Sequence, residues 1–216
     1  MVRGAKTIFS PEALDYLAEH ARQDEVLARV ERETAEMPQA KMQVSPDQGA
    51  LMQLLTALTG ARNALEVGTF TGYSAICIAR GLEDGGRLTC LELDPDFAAI
   101  AQRNPEDAGV ADRVEIRVGP AGESLDAMPA KPAFDFVFLD ADKAGYPAYY
   151  EQILPRMKPN ALLLIDNVLM GGDVVDPESG SSAETVARLN DKIAQDERVD
   201  AAFALVADGI AFARKR

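Results

Sequence analysis

The chain predicts a doubly wound α/β fold with a mostly parallel sheet, and three observations carry the prediction. From residue 64 onward, short apolar runs alternate with helical patterns. Ala64–Val67, Arg87–Leu93, Val114–Val118, Phe134–Leu139 and Ala161–Ile165 read as strands. Tyr73–Arg80, Pro95–Ala108, Ala121–Met128 and Lys143–Met157 lie between them as helices, and Ala183–Asp196 follows as another. Such alternation requires crossover connections and hence parallel strands. The second observation is that the runs ending at Leu139 and Ile165 are rich in Val, Leu, Ile and Phe, the composition of strands covered on both faces, and each breaks directly into polar residues. The third is the pair of strands near Val199–Val206 and Ile210–Ala213, separated by Ala207-Asp208-Gly209. Asp-Gly is a hairpin signal, so the last of the seven strands should run antiparallel.

Length and composition narrow the reading. A chain of 216 residues suits one domain, here a helical cap over residues 1–60 and a sheet core over 61–216. No apolar run approaches the roughly 20 residues of a membrane span. The opening Met-Val-Arg-Gly-Ala-Lys is not followed by an apolar signal segment, which predicts a cytoplasmic protein. Cys77 and Cys90 read as reduced core residues. A net charge of −13 argues against nucleic-acid binding, which rests on neutralising phosphates. The single histidine, His20, lies in an N-terminal helical pattern, so Ser-His-Asp and Cys-His mechanisms have no material here; a general base must be a carboxylate or a lysine.

In order along the chain, Ser10-Pro11-Glu12 opens one or two amphipathic helices that run to about Met37. Leu14, Leu17, Ala18 and Ala21 form one apolar face, and Val26, Leu27 and Val30 another. Pro38–Val44 is a loop. Ser45-Pro46-Asp47-Gln48 opens a helix carrying Leu51, Leu54, Leu55 and Leu58, which Gly60 stops. Asn104-Pro105 falls inside the helix after Asp94-Pro95, where an interior proline costs about 3 kcal/mol, so a break and a fresh turn through Glu106–Gly109 are expected. Gly171–Ser182 is the longest loop, and it follows a polar strand end, as a lid would. Tyr146, Tyr149 and Tyr150 stand at helical spacing and read as packing.

Ligands of open α/β sheets bind outside the carboxyl ends of the strands. Two strand ends are chemically conspicuous: Asp140-Ala-Asp142-Lys143 and Asp166-Asn167. Asp142 and Lys143 could be a helix cap and a solvated cation. Asp140, Asp166 and Asn167 together offer only hard oxygen ligands, a preference for magnesium or calcium over zinc. After the first strand, Leu65-Glu66-Val67-Gly68-Thr69-Phe70-Thr71-Gly72-Tyr73-Ser74 is a glycine-containing turn into a helix, a nucleotide-type site. Phe70 would crowd a pyrophosphate and Glu66 would repel one. S-adenosylmethionine has an ammonium, a carboxylate and no phosphate, and suits this turn better. Glu92, at the end of the second strand, can accept ribose hydroxyls, while Asp94 fits the N-terminus of the next helix.

With these motifs in the order Met42-Gln-Val44-Ser-Pro-Asp-Gln-Gly49, Glu66-x-Gly68-x-x-x-Gly72-Tyr73-Ser74, Leu91-Glu92-Leu93-Asp94, Ala108-Gly109-Val110, Val118-Gly119, Asp140-Ala-Asp142-Lys143 and Asp166-Asn167, the chain resembles the cation-dependent class I S-adenosylmethionine O-methyltransferases, the catechol and caffeoyl-CoA family and its bacterial relatives. The resemblance implies a Rossmann-like fold. It implies a cofactor pocket from Met42, Val44, Glu66, Gly68, Ser74, Glu92, Gly119, Ala121 and Asp140. It also implies a divalent cation on Asp140, Asp166 and Asn167, magnesium first with calcium or manganese as alternatives. Lys143 and Asp140 would be catalytic, with Lys143 as the base. The acceptor would be a small phenolic vicinal diol, and the protein a homodimer through its N-terminal helices. Three departures from the family pattern stand out: Gly119-Pro120-Ala121 replaces Gly-Asp-Ala, Asp142 replaces the aromatic residue that precedes the lysine in catechol enzymes, and Leu205 stands where those enzymes carry an acid. The competing readings are an NAD-dependent oxidoreductase and a non-catalytic cofactor-binding protein.

Overall fold

A computed structural model describes residues 10–216, so the opening Met-Val-Arg-Gly-Ala-Lys and the side chain of Leu14 lie outside the described part. The cap comprises α1 (Pro11–His20), α2 (Glu25–Ala35), a short 3-10 turn at Ala40–Met42, and α3 (Pro46–Leu58). Pro11 and Pro46 stand at the first helical positions, where the missing N–H costs nothing. Leu27 and Val30 of α2 are buried, whereas Leu17 of α1 and Leu54 and Leu58 of α3 remain exposed.

The core alternates as expected. β1 (Asn63–Val67), α4 (Tyr73–Gly81), β2 (Arg87–Glu92), α5 (Pro95–Asp107), β3 (Val114–Val118), α6 (Ala121–Ala127), β4 (Phe134–Leu139), α7 (Tyr146–Ile153), β5 (Met157–Ile165), α8 (Ser182–Gln195), β6 (Val199–Ala204) and β7 (Ile210–Lys215) follow in order. The seven strands assemble in the spatial order β3-β2-β1-β4-β5-β7-β6, parallel from β3 to β5, with β7 antiparallel to both of its neighbours. The order reverses between β1 and β4, which opens a crevice at their carboxyl ends. Strand alternation divides the core in two. Phe136, Phe138 and Leu164 face one layer with Ile76 and Ile78 of α4, while Leu65, Val137, Leu139, Leu163 and Ile165 face the other with Tyr146 and Tyr150 of α7. Cys77 and Cys90 are free thiols buried in the first layer.

Three boundaries differ from the sequence expectation. Helix α5 continues through Pro105 to Asp107 without a break. A proline there lacks only the N–H that would bond Ala101, and the helix ends two residues later, so little ladder is lost. Helix α7 begins at Tyr146 rather than Lys143, because the Asp142 carboxylate accepts from Gly145 N (2.8 Å) and Tyr149 Oη (2.7 Å) and holds Asp142–Gly145 in a turn. Its C-terminal end is also earlier: Leu154-Pro155-Arg156 is a 3-10 turn, and Met157 already pairs with Phe134 as the first residue of β5. Within Gly171–Ser182, residues Met170–Val175 form 3-10 turns interrupted by positive φ at Gly171 and Gly172.

Buried Asn104 explains why the proline-bearing turn is kept in place. Its Nδ2 donates to Thr71 O (2.7 Å), and Thr34 Oγ1 donates to Thr71 Oγ1 (3.0 Å), so α2 and α5 both grip the loop after β1. Asn104→Ala is expected to leave the Thr71 carbonyl unpaired and to cost about 1–3 kcal/mol, read as a lower urea midpoint at unchanged slope.

Candidate active site

A single cavity of about 880 Å³ occupies the carboxyl edge of the sheet. Its walls come from the cap (Lys41–Ser45 and Gln48), from the turns after β1, β2, β3, β4 and β5, and from Ala207-Asp208 of the final hairpin. Among the expected residues, Met42, Val44, Gly68, Ser74, Glu92, Ala121, Asp140, Lys143, Asp166 and Asn167 line it together. Glu66 and Gly119 do not reach the wall.

The turn after β1 is shaped by contact with β4. Gly68 has φ +88°, and a Cβ there would lie 1.9 Å from Asp140 O, so no larger residue fits. Phe70, also at positive φ (52°), packs its ring edge-on against Phe97 with centroids 4.8 Å apart. Phe70 lines the cavity beside Gly68 and Thr69. Glu92 is engaged more heavily than expected: Oε2 accepts from Thr69 N (3.0 Å) and Phe70 N (2.7 Å), and Oε1 from Asp94 N (3.0 Å). This carboxylate fixes the turn as well as facing the cavity. Asp94 caps α5, accepting from Asp96 N and Phe97 N.

Glu66 points the other way. Its register partners are Cys90 and Phe138, so alternation sends its side chain into the layer beneath α4. It is fully buried, and neither carboxylate oxygen has a partner in hydrogen-bond geometry. Burial raises its pKa to about 7, against the opposing influence of Ser74, Cys90 and Thr69 nearby.

At the far end, Leu139 pairs with Ile165, and Asp140 and Asp166 leave neighbouring strands at one level. Lys143 Nζ donates to Asp140 Oδ1 (2.8 Å) and to Tyr146 Oη (2.6 Å); it is half-buried and paired, and it precedes the helix. The phenol of Tyr146 is buried, and burial, with the charges of Asp140 and Asp166, holds its pKa well above the usual value. It stays protonated and lies 3.3 Å from the carbonyls of Leu139 and Asp166. Asp166 is only 4% exposed and accepts from Gln48 Nε2 (2.9 Å) and Asn167 N (2.7 Å). Burial, then the negative charge of Asp140, raises its pKa to about 6.

Four contributors were not singled out as site residues from the sequence. Gln48 looked like a first-turn helix residue. Asp208 looked like turn chemistry, yet it accepts from Asn167 Nδ2 (3.3 Å) and Gly171 N (2.7 Å), while exposed Leu205 stands away from the cavity. Tyr149 and Phe97 line the wall; Tyr146 and Tyr150 pack as expected. No residue of Gly171–Ser182, the expected lid, lines the cavity; Met170, just before it, does. Among the described residues, no group of three His, Cys, Asp or Glu side chains could hold a metal; the oxygen set at this end is two carboxylates and one amide.

Fold and cavity define a Rossmann-like α/β enzyme that takes its ligands at the carboxyl edge of the sheet. The sequence model of the family described as O-methyltransferase matches residues 18–216, and the chain belongs to that family, within the S-adenosylmethionine-dependent class expected from its motifs. It is 40% identical over 182 residues to a catechol O-methyltransferase of Niastella koreensis, covering 83% of this chain and 82% of that protein. It is 33% identical over 219 residues to a probable caffeoyl-CoA O-methyltransferase of Arabidopsis thaliana, covering 95% and 94%. Among solved structures, an O-methyltransferase from Bacillus cereus in complex with SAH superposes with a TM-score of 0.85 at 37% identity, over 95% of this chain and 97% of that one.

Buried Glu66 makes stability depend on pH in the ligand-free protein. An acid whose folded-state pKa exceeds its unfolded value contributes stability that is complete below the unfolded value, here 4.5, and lost as pH rises through about 7. Urea unfolding of the wild type and Glu66→Gln should show their difference shifting toward the variant between those limits, by on the order of 3 kcal/mol in all.

Proposed function

We propose that the protein transfers the methyl group of S-adenosylmethionine to a phenolic oxygen of a small vicinal diol, with a divalent cation held by Asp140, Asp166 and Asn167. The observation that carries this reading is the gathering of Asp140, Lys143, Asp166 and Asn167 at one end of a cavity whose other walls carry the cofactor-type turns. The relatives named for catechol and caffeoyl-CoA methylation and the neighbour solved with SAH support it.

The residues present fit a hard dication. Two carboxylates converge there, and their mutual repulsion contributes to the raised pKa of Asp166. Asn167 Nδ2 is taken by Asp208, which leaves the carbonyl oxygen of the amide as the end to offer a cation. When bound, a dication supplies a Lewis-acid contact that favours the ionised form of a phenol, whose ordinary pKa is about 10.

We assign the proton acceptor to Lys143, which would act as the neutral amine and is held by Asp140 and by Tyr146 Oη. Gln48 and the backbone N–H of Asn167 hold Asp166 in its carboxylate form, because both donate to it. On the donor side, Met42, Val44, Gly68, Ser74, Glu92 and Ala121 supply the cofactor walls, with Asp140 at the join. Glu66 lies beneath Ser74 and Gly119 precedes the wall residues Pro120 and Ala121, so both act through their neighbours in this reading. The methyl group moves in line to the phenolate oxygen, the C–S bond breaks, and S-adenosylhomocysteine leaves. Orientation within the enclosed site accounts for much of the rate gain.

The cap and the core act as one domain here, since both wall the cavity. Exposed Leu17, Leu54 and Leu58 support a homodimer through the cap, and buried free cysteines support a reducing, cytoplasmic setting. The charge of −13 supports a small-molecule acceptor over nucleic acid. No described helix is long and apolar enough to cross a membrane.

The test is methyl transfer to catechols and simple phenols with magnesium and then with chelator. Vicinal diols should react, chelator should abolish turnover, and magnesium should restore it; turnover indifferent to chelator removes the cation assignment. Lys143→Ala should lower kcat by about 100-fold or more while S-adenosylmethionine binding, followed by calorimetry, persists.

A further inference from the structure

One hydrogen bond joins the cap to the end of the cavity where Asp140 and Asp166 meet. Gln48, in the first turn of α3, donates from Nε2 to Asp166 Oδ2 (2.9 Å) across 118 residues of chain, and both side chains are buried. The next residue brings it within reach: a Cβ on Gly49 would lie 2.7 Å from the Tyr73 ring and 3.0 Å from Cys77 Sγ, so the first turn of α3 lies directly on α4. Just before α3, residues 41–45 wall the same cavity. Their backbone bonds stay inside the cap, from Met42 N to Gln39 O and from Gln43 N to Ala40 O. Among the described residues, no hydrogen bond ties residues 40–47 to the sheet or its turns; the tie comes at Gln48. Two side-chain oxygens of this wall, Gln43 Oε1 and Ser45 Oγ, are sealed from water without a partner, and Ser45 makes no side-chain bond to cap α3. Such atoms favour a polar ligand in the cavity that their residues line.

Asp166 accepts from Gln48 with Oδ2 and from Asn167 N with Oδ1. Asp140, at the end of the neighbouring strand, repels it, and a dication shared by the two carboxylates would replace that repulsion with a common tether. Hydrogen-bond partners of a ligating carboxylate hold it in its binding orientation. Resting on the cation assignment above, we infer that Gln48 is a positioning residue that couples the cation to the cofactor wall: a cation on Asp166 steadies residues 41–45 through the Gln48 amide, and the cofactor binds more tightly for it. By linkage, cofactor on that wall strengthens cation binding by the same factor.

The experiment uses the full-length protein with magnesium and S-adenosylhomocysteine, so that no turnover intervenes. Calorimetry gives the affinity for S-adenosylhomocysteine in chelator and in saturating magnesium, and the wild type should bind it about 5-fold or more tightly with magnesium. Gln48→Met keeps the length of the side chain and removes the donor. It should weaken magnesium binding about 10-fold. With magnesium saturating, it should bind S-adenosylhomocysteine only as well as it does in chelator. Hydrogen exchange supplies a second readout: the amides of Met42, Gln43 and Gly49, which bond within the cap, should exchange more slowly when magnesium is added to the wild type and at an unchanged rate when it is added to Gln48→Met. Either magnesium effect retained in full by the variant, or absent from the wild type, overturns the inference, and the wild-type arm decides alone where the variant does not fold. Magnesium that binds neither protein overturns the cation assignment, S-adenosylhomocysteine that binds neither overturns the methyl-transfer reading, and the inference falls with either.

Discussion

A methyl group on Gly68 would sit 1.9 Å from the backbone oxygen of Asp140, and the whole carboxyl edge of the sheet depends on that approach. The strand order reverses between β1 and β4, and there the turn that follows each strand must pass the other. Glycine lets them touch. The backbone ladder then continues one residue past the strands, from Gly68 N to Leu91 O, Asp140 N to Val67 O and Asp166 N to Leu139 O. Each bond fixes the first residue of a functional turn. Asp140 and Asp166 are thus placed by backbone pairing, and their side chains need no search to face one another.

That placement has an electrostatic cost, and the surrounding residues moderate it. Two carboxylates side by side, one of them almost sealed from water, resist ionising together. Gln48 from the cap and the N–H of Asn167 favour the ionised form of Asp166, and Lys143 answers Asp140. Tyr146 anchors the lysine with a hydroxyl that burial keeps protonated. A cap helix therefore has a chemical part as well as a packing one. Gln48 ties α3 to Asp166 at one end of the cavity just as Thr34 ties α2 to the turn after β1 through Thr71. Cap and sheet are joined at both ends of one cavity.

The fold was legible because its signals are local and repeated: apolar runs of strand length, glycine and proline punctuation, and an Asp-Gly hairpin. Residues at the ends of central strands were legible for the same reason, since a buried run that stops in charge marks the edge of the sheet. The misread boundaries were settled by side-chain contacts that backbone propensity does not count. Pro105 was expected to break its helix because propensity counts the lost bond and cannot see Asn104 anchored to Thr71, 33 residues away. Lys143 was placed in a helix because helical spacing does not reveal Tyr149 returning its hydroxyl to Asp142, seven residues back. Glu66 was expected in the cavity wall by proximity to the glycine turn; strand alternation, a two-residue rule, sends its side chain into the layer under α4, behind the wall residues Thr69 and Ser74.

Asp208 shows how a turn residue acquires a second part. Asp-Gly is demanded by the hairpin alone, and Gly209 at φ +81° fits closely enough that a Cβ would meet Leu169 at 2.7 Å. The same hairpin is stitched to the chain after β5 by Val168 N to Gly209 O and Leu169 N to Asp208 O. With the backbone so held, the Asp208 carboxylate reaches both Asn167 Nδ2 and Gly171 N. Asn167 itself lies at positive φ (55°), a conformation asparagine tolerates better than most residues. One acid therefore fixes which end of the Asn167 amide is spent within the protein, and it pins Gly171 just after the cavity residue Met170. The antiparallel last strand, which looks peripheral in the topology, brings this acid to the cavity that the parallel strands create.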